Sequence, residues 1–196
     1  MTRRVSQIER VTQETNIRLR LGLEGEGRIS IASGIGFLDH LLTALAFHAR
    51  FDLDLACQGD LQIDDHHTVE DCALALGTAI DRALGTRSGI TRFGWAYAPL
   101  DEALARCVID LSGRPCAVVR VDLRRERLGD LACENISHFI VSLATTARAS
   151  VHVDVLRGEN DHHRAEASFK ALALALRQAV TLTASADVPS TKGCLS

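Results

Sequence analysis

The chain has 196 residues, 46% of them hydrophobic and 24% charged, which is ordinary for a globular protein and enough for one domain or two small ones. Its formal net charge is −3, so no global basic field exists to hold nucleic acid or an anionic membrane. Any anionic ligand must be held by a few placed cations. Aromatic residues make up only 4%, which leaves the core to Leu, Ala, Val and Ile. Cys57, Cys72, Cys107, Cys116, Cys133 and Cys194 form no CxxC pair, and isolated thiols suit a reducing compartment rather than a disulfide scaffold or a zinc ribbon. The segment from Met1 to Arg10 has charges but no apolar run, so no signal peptide is expected. The longest apolar stretch, Ala171 to Ala184, is interrupted by Arg177 and Gln178 and is too short to span a bilayer. A cytoplasmic protein is expected.

In chain order, Ile17–Leu23 and Arg28–Ile31 read as strands. His40 is followed by Leu41, Leu42, Leu45 and Ala49 at helical spacing, then by an alternating strand, Phe51–Ala56. A second helix opens at His66, with Ala73, Leu76, Ile80 and Leu84 on one face. The best boundary is Gly85 to Arg92, giving halves 1–88 and 89–196. Leu104–Leu111 and Ala117–Leu123 are the next strands. A helix follows from His138, with Phe139, Ile140, Leu143 and Ala147, then a strand, Ser150–Leu156. The last helix opens at His162, with Phe169, Leu172, Leu176 and Val180 on one face.

These two series are one series written twice. Asp65-His66-His67-Thr68-Val69-Glu70 recurs 96 positions later as Asp161-His162-His163-Arg164-Ala165-Glu166, and the apolar residues behind each pair fall at the same offsets. Asp65 and Asp161 are placed to cap the two helices. The expected fold is α+β: a duplicated sheet-plus-two-helix unit, helices together and sheets outside, about a pseudo-two-fold axis.

Six of the eight histidines, His40, His66, His67, His138, His162 and His163, occupy matched positions, together with Glu70 and Glu166. Imidazole and carboxylate without thiolate suit a borderline divalent ion such as manganese, iron, cobalt, nickel or zinc. His66 and Glu70 are i and i+4 and share a helix face. His67 lies about 100° further round and points to a different ion, and His163 stands in the same relation to His162 and Glu166. Two ions are therefore expected, one held by His40, His66, Glu70 and His163, the other by His138, His162, Glu166 and His67. His48 and His152 have no partner in the repeat and read as hydrogen-bonded core histidines. HHxxE differs from the HExxH of zinc proteases, because no glutamate lies between the histidines.

Asp64-Asp65-His66-His67-Thr68-Val69-Glu70-Asp71 and Gly158-Glu159-Asn160-Asp161-His162-His163 resemble the signature stretches of the imidazoleglycerol-phosphate dehydratase family. So do Gly36-Phe37-Leu38-Asp39-His40, Asp110-Leu111-Ser112-Gly113-Arg114-Pro115 and Pro189-Ser190-Thr191-Lys192-Gly193. The likeness runs from about Glu14 onward; Thr43 departs from it, standing where an acidic residue is expected. The resemblance implies a fold like a duplicated second domain of ribosomal protein S5, two manganese ions, and a homo-oligomer of twenty-four subunits with active sites between neighbours. It implies the sixth step of histidine biosynthesis, dehydration of imidazole-glycerol phosphate to imidazole-acetol phosphate through an imidazolate stabilised by two metals. It further implies Glu14 as the base, with Arg92, Arg114, Ser190 and Lys192 on the substrate phosphate. Two other functions use the same ligands: a dinuclear metallohydrolase, and a non-catalytic shell protein stapled by metal.

Overall fold

The computed structural model describes residues 3–185, 187–193 and 195; Cys194 lies outside the described residues. The first half runs β1 (Val5–Val11), β2 (Thr15–Gly22), β3 (Ile29–Ala32), α1 (Gly36–Ala49), β4 (Asp52–Gly59) and α2 (His66–Leu84). The second runs β5 (Phe93–Leu100), β6 (Ala103–Asp110), β7 (Cys116–Arg120), a short hairpin of β8 (Arg127–Leu128) and β9 (Leu131–Ala132), α3 (Cys133–Thr146), β10 (Ser150–Arg157) and α4 (Asp161–Ala179). Each half builds a four-stranded sheet, ordered β1-β2-β4-β3 and β5-β6-β10-β7. In both, a hairpin pairs antiparallel with the strand after the first helix, and the third strand joins that same strand in parallel. The halves thus share one topology, and the β8–β9 hairpin is the addition in the second. This is the duplicated α+β arrangement expected from the repeat.

α2 packs on β1 and β2, and α4 on β5 and β6, while the helices meet across the halves, α1 against α4 and α2 against α3. One apolar core runs through both halves; Phe139 and Phe169, fully buried, meet at 5.5 Å between ring centroids. Each such side chain stabilises the fold by about 1.5–3 kcal/mol. Helix contacts are close where glycine allows it. A Cβ on Gly77 of α2 would lie 2.5 Å from the Leu143 carbonyl oxygen of α3, and one on Gly94 of β5 would lie 2.0 Å from that of Ala175 in α4.

β1 and β5 are edge strands that the sequence pattern did not predict. The buried side of β1 offers Ser6 and a single large apolar residue, Ile8. β5 is inverted relative to the usual pattern. Gly94 and Ala98 face the helix because α4 lies so close, and Phe93, Trp95 and Tyr97 face outward. His152 also sits on an exposed face, in β10, and His48 is half-buried, so His152 is not the core residue expected.

Candidate metal centres

The two HHxxE segments are presented by helix starts. The residues that cap them are not those expected. The His66 N–H donates to Asp64 Oδ1 at 2.8 Å, and the His162 N–H to Asn160 Oδ1 at 2.9 Å. Asp65 holds the N-cap position of α2 without a side-chain cap bond. Asp65 and Asp161 are buried and turned inward. Asp65 accepts from the Ala132 N–H, from Asn135 and from Arg127; Asp161 accepts from the N–H groups of Arg124 and Arg125. They anchor the loops beneath the centres instead.

Two clusters form. In one, His40 Nε2 and His162 Nε2 lie 2.8 and 3.1 Å from Glu166 Oε2. In the other, His138 Nε2 lies 3.0 Å from Glu70 Oε1, and the His66 ring stacks on that of His138 at 4.9 Å. Within each trio the candidate ligand atoms all lie within 4.8 Å of one another. This grouping corrects the sequence expectation, which put His40 with His66 and Glu70 and His138 with His162 and Glu166. The cause is the helix packing: because α1 lies on α4 and α3 on α2, each first-helix histidine reaches the HHxxE segment of the opposite half.

His67 and His163 belong to neither trio. His67 Nδ1 lies 3.0 Å from Asp60 Oδ2, and its Nε2 lies 3.6 Å from Glu14 Oε1. His163 Nδ1 lies 2.7 Å from Glu102 Oε2, and its Nε2 lies 3.7 Å from Asp101 Oδ2. The hydrogen bond to Asp60 raises the pKa of His67, and that to Glu102 raises the pKa of His163. Glu102 is brought down to about 2, first by the Asn160 N–H, then by His163 and the Glu159 N–H. For Glu166, burial opposes ionisation, but Lys170 and His40 outweigh it and bring the carboxyl down to about 2.

Glu14 stands in the β1–β2 turn, exposed, with only His67 of the histidines beside it. Arg92 holds Asp110 with two prongs, Nε to Oδ1 at 2.7 Å and Nη2 to Oδ2 at 3.0 Å, and its Nη1 donates to the Pro189 carbonyl at 2.7 Å. That contact brings the C-terminal segment to Arg92. There Ser190 Oγ accepts from the Lys192 N–H at 3.2 Å. Arg114 is exposed in the loop that follows Asp110, at the end of β6. Arg92 and the tail are therefore joined, with Arg114 a short loop away in sequence.

Phe37, Asp60, Glu102, Asn135 and Lys170 also touch the histidines and glutamates of the site, without a motif to mark that role. Glu102 had a signal: the hairpins β1–β2 and β5–β6 align as well, and Glu102 falls on Glu14. Lys170 had another, standing i+4 from Glu166 and bonded to it at 2.7 Å. The described cysteines are all free, and only Cys116 is exposed.

The model of the imidazoleglycerol-phosphate dehydratase family matches residues 33–176. The chain is 56% identical to imidazoleglycerol-phosphate dehydratase of Candida glabrata, over 96% of this chain and 99% of that one. It is 60% identical to the protein of that name from Phytophthora nicotianae, over 98% of this chain, and spans 43% of that longer relative. The crystal structure of imidazoleglycerol-phosphate dehydratase from Staphylococcus aureus superposes with a TM-score of 0.83 at 34% identity, covering 91% of this chain and 99% of that one. Matched over most of its length in both sequence and fold, the chain belongs to the imidazoleglycerol-phosphate dehydratase family.

Proposed function

We propose that the chain dehydrates imidazole-glycerol phosphate to imidazole-acetol phosphate in histidine biosynthesis, using two divalent metal ions, manganese by preference. The observation that carries this reading is the pair of His₂Glu trios, each with its ligand atoms within 4.8 Å of one another. The donor sets fit such an ion: imidazole and carboxylate, no thiolate. His40, His162 and Glu166 would hold one ion, and His66, Glu70 and His138 the other. His67 and His163 point out of both trios, which supports a remaining ligand for each centre coming from a neighbouring copy. That arrangement is in keeping with a homo-oligomer of twenty-four subunits and with active sites between subunits. When bound, the ions supply Lewis acidity to the imidazole ring of the substrate.

The residues of the chain do the rest. The hydroxyl on the carbon next to the ring leaves and, with a proton, becomes water; Glu14 Oε1 takes the proton from the neighbouring carbon, which keeps its own hydroxyl, and the resulting enol becomes the ketone. Arg92, Arg114, Ser190 and Lys192 hold the phosphate. Free cysteines at Cys57, Cys72, Cys107, Cys116 and Cys133 suit a cytoplasmic location, and no described helix is long and apolar enough to cross a membrane. Metal analysis and a dehydratase assay on one purified sample test the reading. Two ions per chain with ketone formed from imidazole-glycerol phosphate is the expected result; hydrolysis, or no turnover of a metal-loaded sample, would overturn it.

A further inference from the structure

The two trios occupy equivalent places in the repeat, yet their surroundings differ at two matched positions. Asn135, three residues before His138, meets His66 Nδ1 with its Oδ1 at 3.0 Å. The same side chain donates from Nδ2 to Asp65 Oδ2 at 3.0 Å, and Asp65 is fixed in turn by the Ala132 N–H at 2.7 Å. This chain settles the tautomer. The amide nitrogen faces a carboxylate, so the amide oxygen accepts, the proton sits on His66 Nδ1, and Nε2 keeps its lone pair. Three residues before His40 the matched residue is Phe37. Its ring lies edge-on to His162 at 5.0 Å and tilted to His40 at 5.7 Å, and a phenyl ring offers no comparable acceptor. Asp161, the match of Asp65, is turned to the N–H groups of Arg124 and Arg125.

The carboxylates differ in the other direction. Lys170 Nζ lies 2.7 Å from Glu166 Oε1, whereas the residue matched to Lys170, four after Glu70, is Leu74. The two remaining histidines leave this contrast standing, since His67 and His163 each hold a carboxylate on Nδ1.

Both differences favour the same centre. A histidine whose second nitrogen is hydrogen-bonded is oriented and more basic toward metal. A carboxylate shared with an ammonium is a poorer donor, and a fixed positive charge opposes a dication beside it. We propose that the two centres bind metal unequally: His66, Glu70 and His138 form the tight centre, filled first, and His40, His162 and Glu166 the exchangeable one, with Asn135 and Lys170 setting the difference. This rests on the dimetal reading above. It makes occupancy of the weaker centre the step that follows metal supply.

The test is titration of the metal-free full chain with manganese(II), free ion being read by electron paramagnetic resonance. Two steps of one ion per chain are expected, separated by about tenfold or more. His138→Asn should remove the tight step and His40→Asn the weak one. Lys170→Met should tighten the weak step by about tenfold, a gain that structural damage would not produce, while Lys170→Arg should leave it in place. Asn135→Leu should weaken the tight step by about 10- to 100-fold. A single step of two equal ions, or a weak step unmoved in Lys170→Met, overturns the proposal. No manganese bound overturns the dimetal reading along with it. Two unequal steps without turnover sink the dehydratase reading and uphold the inequality.

Discussion

The halves share strand order, helix pair and HHxxE sequence, but they brace these parts differently. In the first, Asp71 of α2 ties Arg10 and Thr15 of the β1–β2 hairpin to the helix. In the second, Ala167 stands at the matched position, and the brace is Arg164, buried, whose guanidinium donates to the carbonyl oxygens of Val121, Asp122 and Gly158. The residue matched to Arg164 is Thr68, also buried, whose hydroxyl has no hydrogen-bond partner among the described residues. The His and Glu positions of the two candidate centres coincide across the repeat. The supports diverge because any bonded polar group will brace a loop, and at Thr68 the brace comes from Asp71 instead.

The sharpest way to strain the comparison is at its matched carboxylates. Glu14→Gln should lower kcat by about 10²- to 10⁴-fold, the usual worth of a general base, with metal content unchanged. Glu102→Gln, at the equivalent turn, should instead lower metal affinity by about tenfold through His163. Steady-state kinetics and metal analysis of both variants check this, and equal losses of kcat would mean that the two turns do the same work.

The next effect is on stability. Arg164→Leu leaves three carbonyl groups without their donor and should cost about 3 kcal/mol. Thr68→Val removes an unpaired hydroxyl and should be neutral or slightly stabilising. Urea denaturation of the two variants measures the difference, and similar midpoints would remove Arg164 from its bracing role.

A smaller effect follows from Asp65. Burial opposes its ionisation, but Asn135, the Ala132 N–H and Arg127 overcome that and hold its pKa below the usual carboxylate value. The folded form therefore binds the proton less readily than the unfolded chain. The stability contributed is complete above the unfolded carboxylate pKa, near 4, and is lost as pH falls from there through the lower folded value. Asp65→Asn should flatten this acid limb in thermal melts between about pH 5 and pH 2; an unchanged limb would show that other groups govern it.

Much of this was legible from residue spacing. The repeat, the four helices and the separation of His66 from His67 follow from a 3.6-residue period and a doubled motif. The grouping of His40 with His162 and Glu166 did not, because spacing along one helix is silent about which neighbour the helix lies on. β5 was hidden because its apolar residues face outward, and Asn135 because a lone asparagine shows a role only through Asp65 and His66. The binding of Pro189 to Arg92 likewise joins segments 97 residues apart.

The smallest effect concerns the outer sheet faces. That of the second half exposes Phe93, Trp95 and Tyr97, where the first exposes Val5, Gln7 and Glu9 at the matched positions. Trp95→Ser should change folding stability by no more than about 0.5 kcal/mol, as for other surface substitutions. Sedimentation of the same variant would show whether the aromatic face takes part in assembly, and a larger loss of stability would mean that Trp95 supports the fold itself.

His40 reaches Glu166 across 126 positions, and His138 reaches Glu70 across 68. An ion bound in either trio would therefore work as a reversible cross-link between the halves, closing a long loop without any disulfide. In the chain-entropy account, closing a loop of about a hundred residues restricts the unfolded chain by up to about 4.7 kcal/mol. Neither half carries a complete trio by itself. A backbone cut in 85–92 would yield two fragments with only two ligands of one trio and one of the other apiece, so that metal would select the reunited pair over either fragment alone.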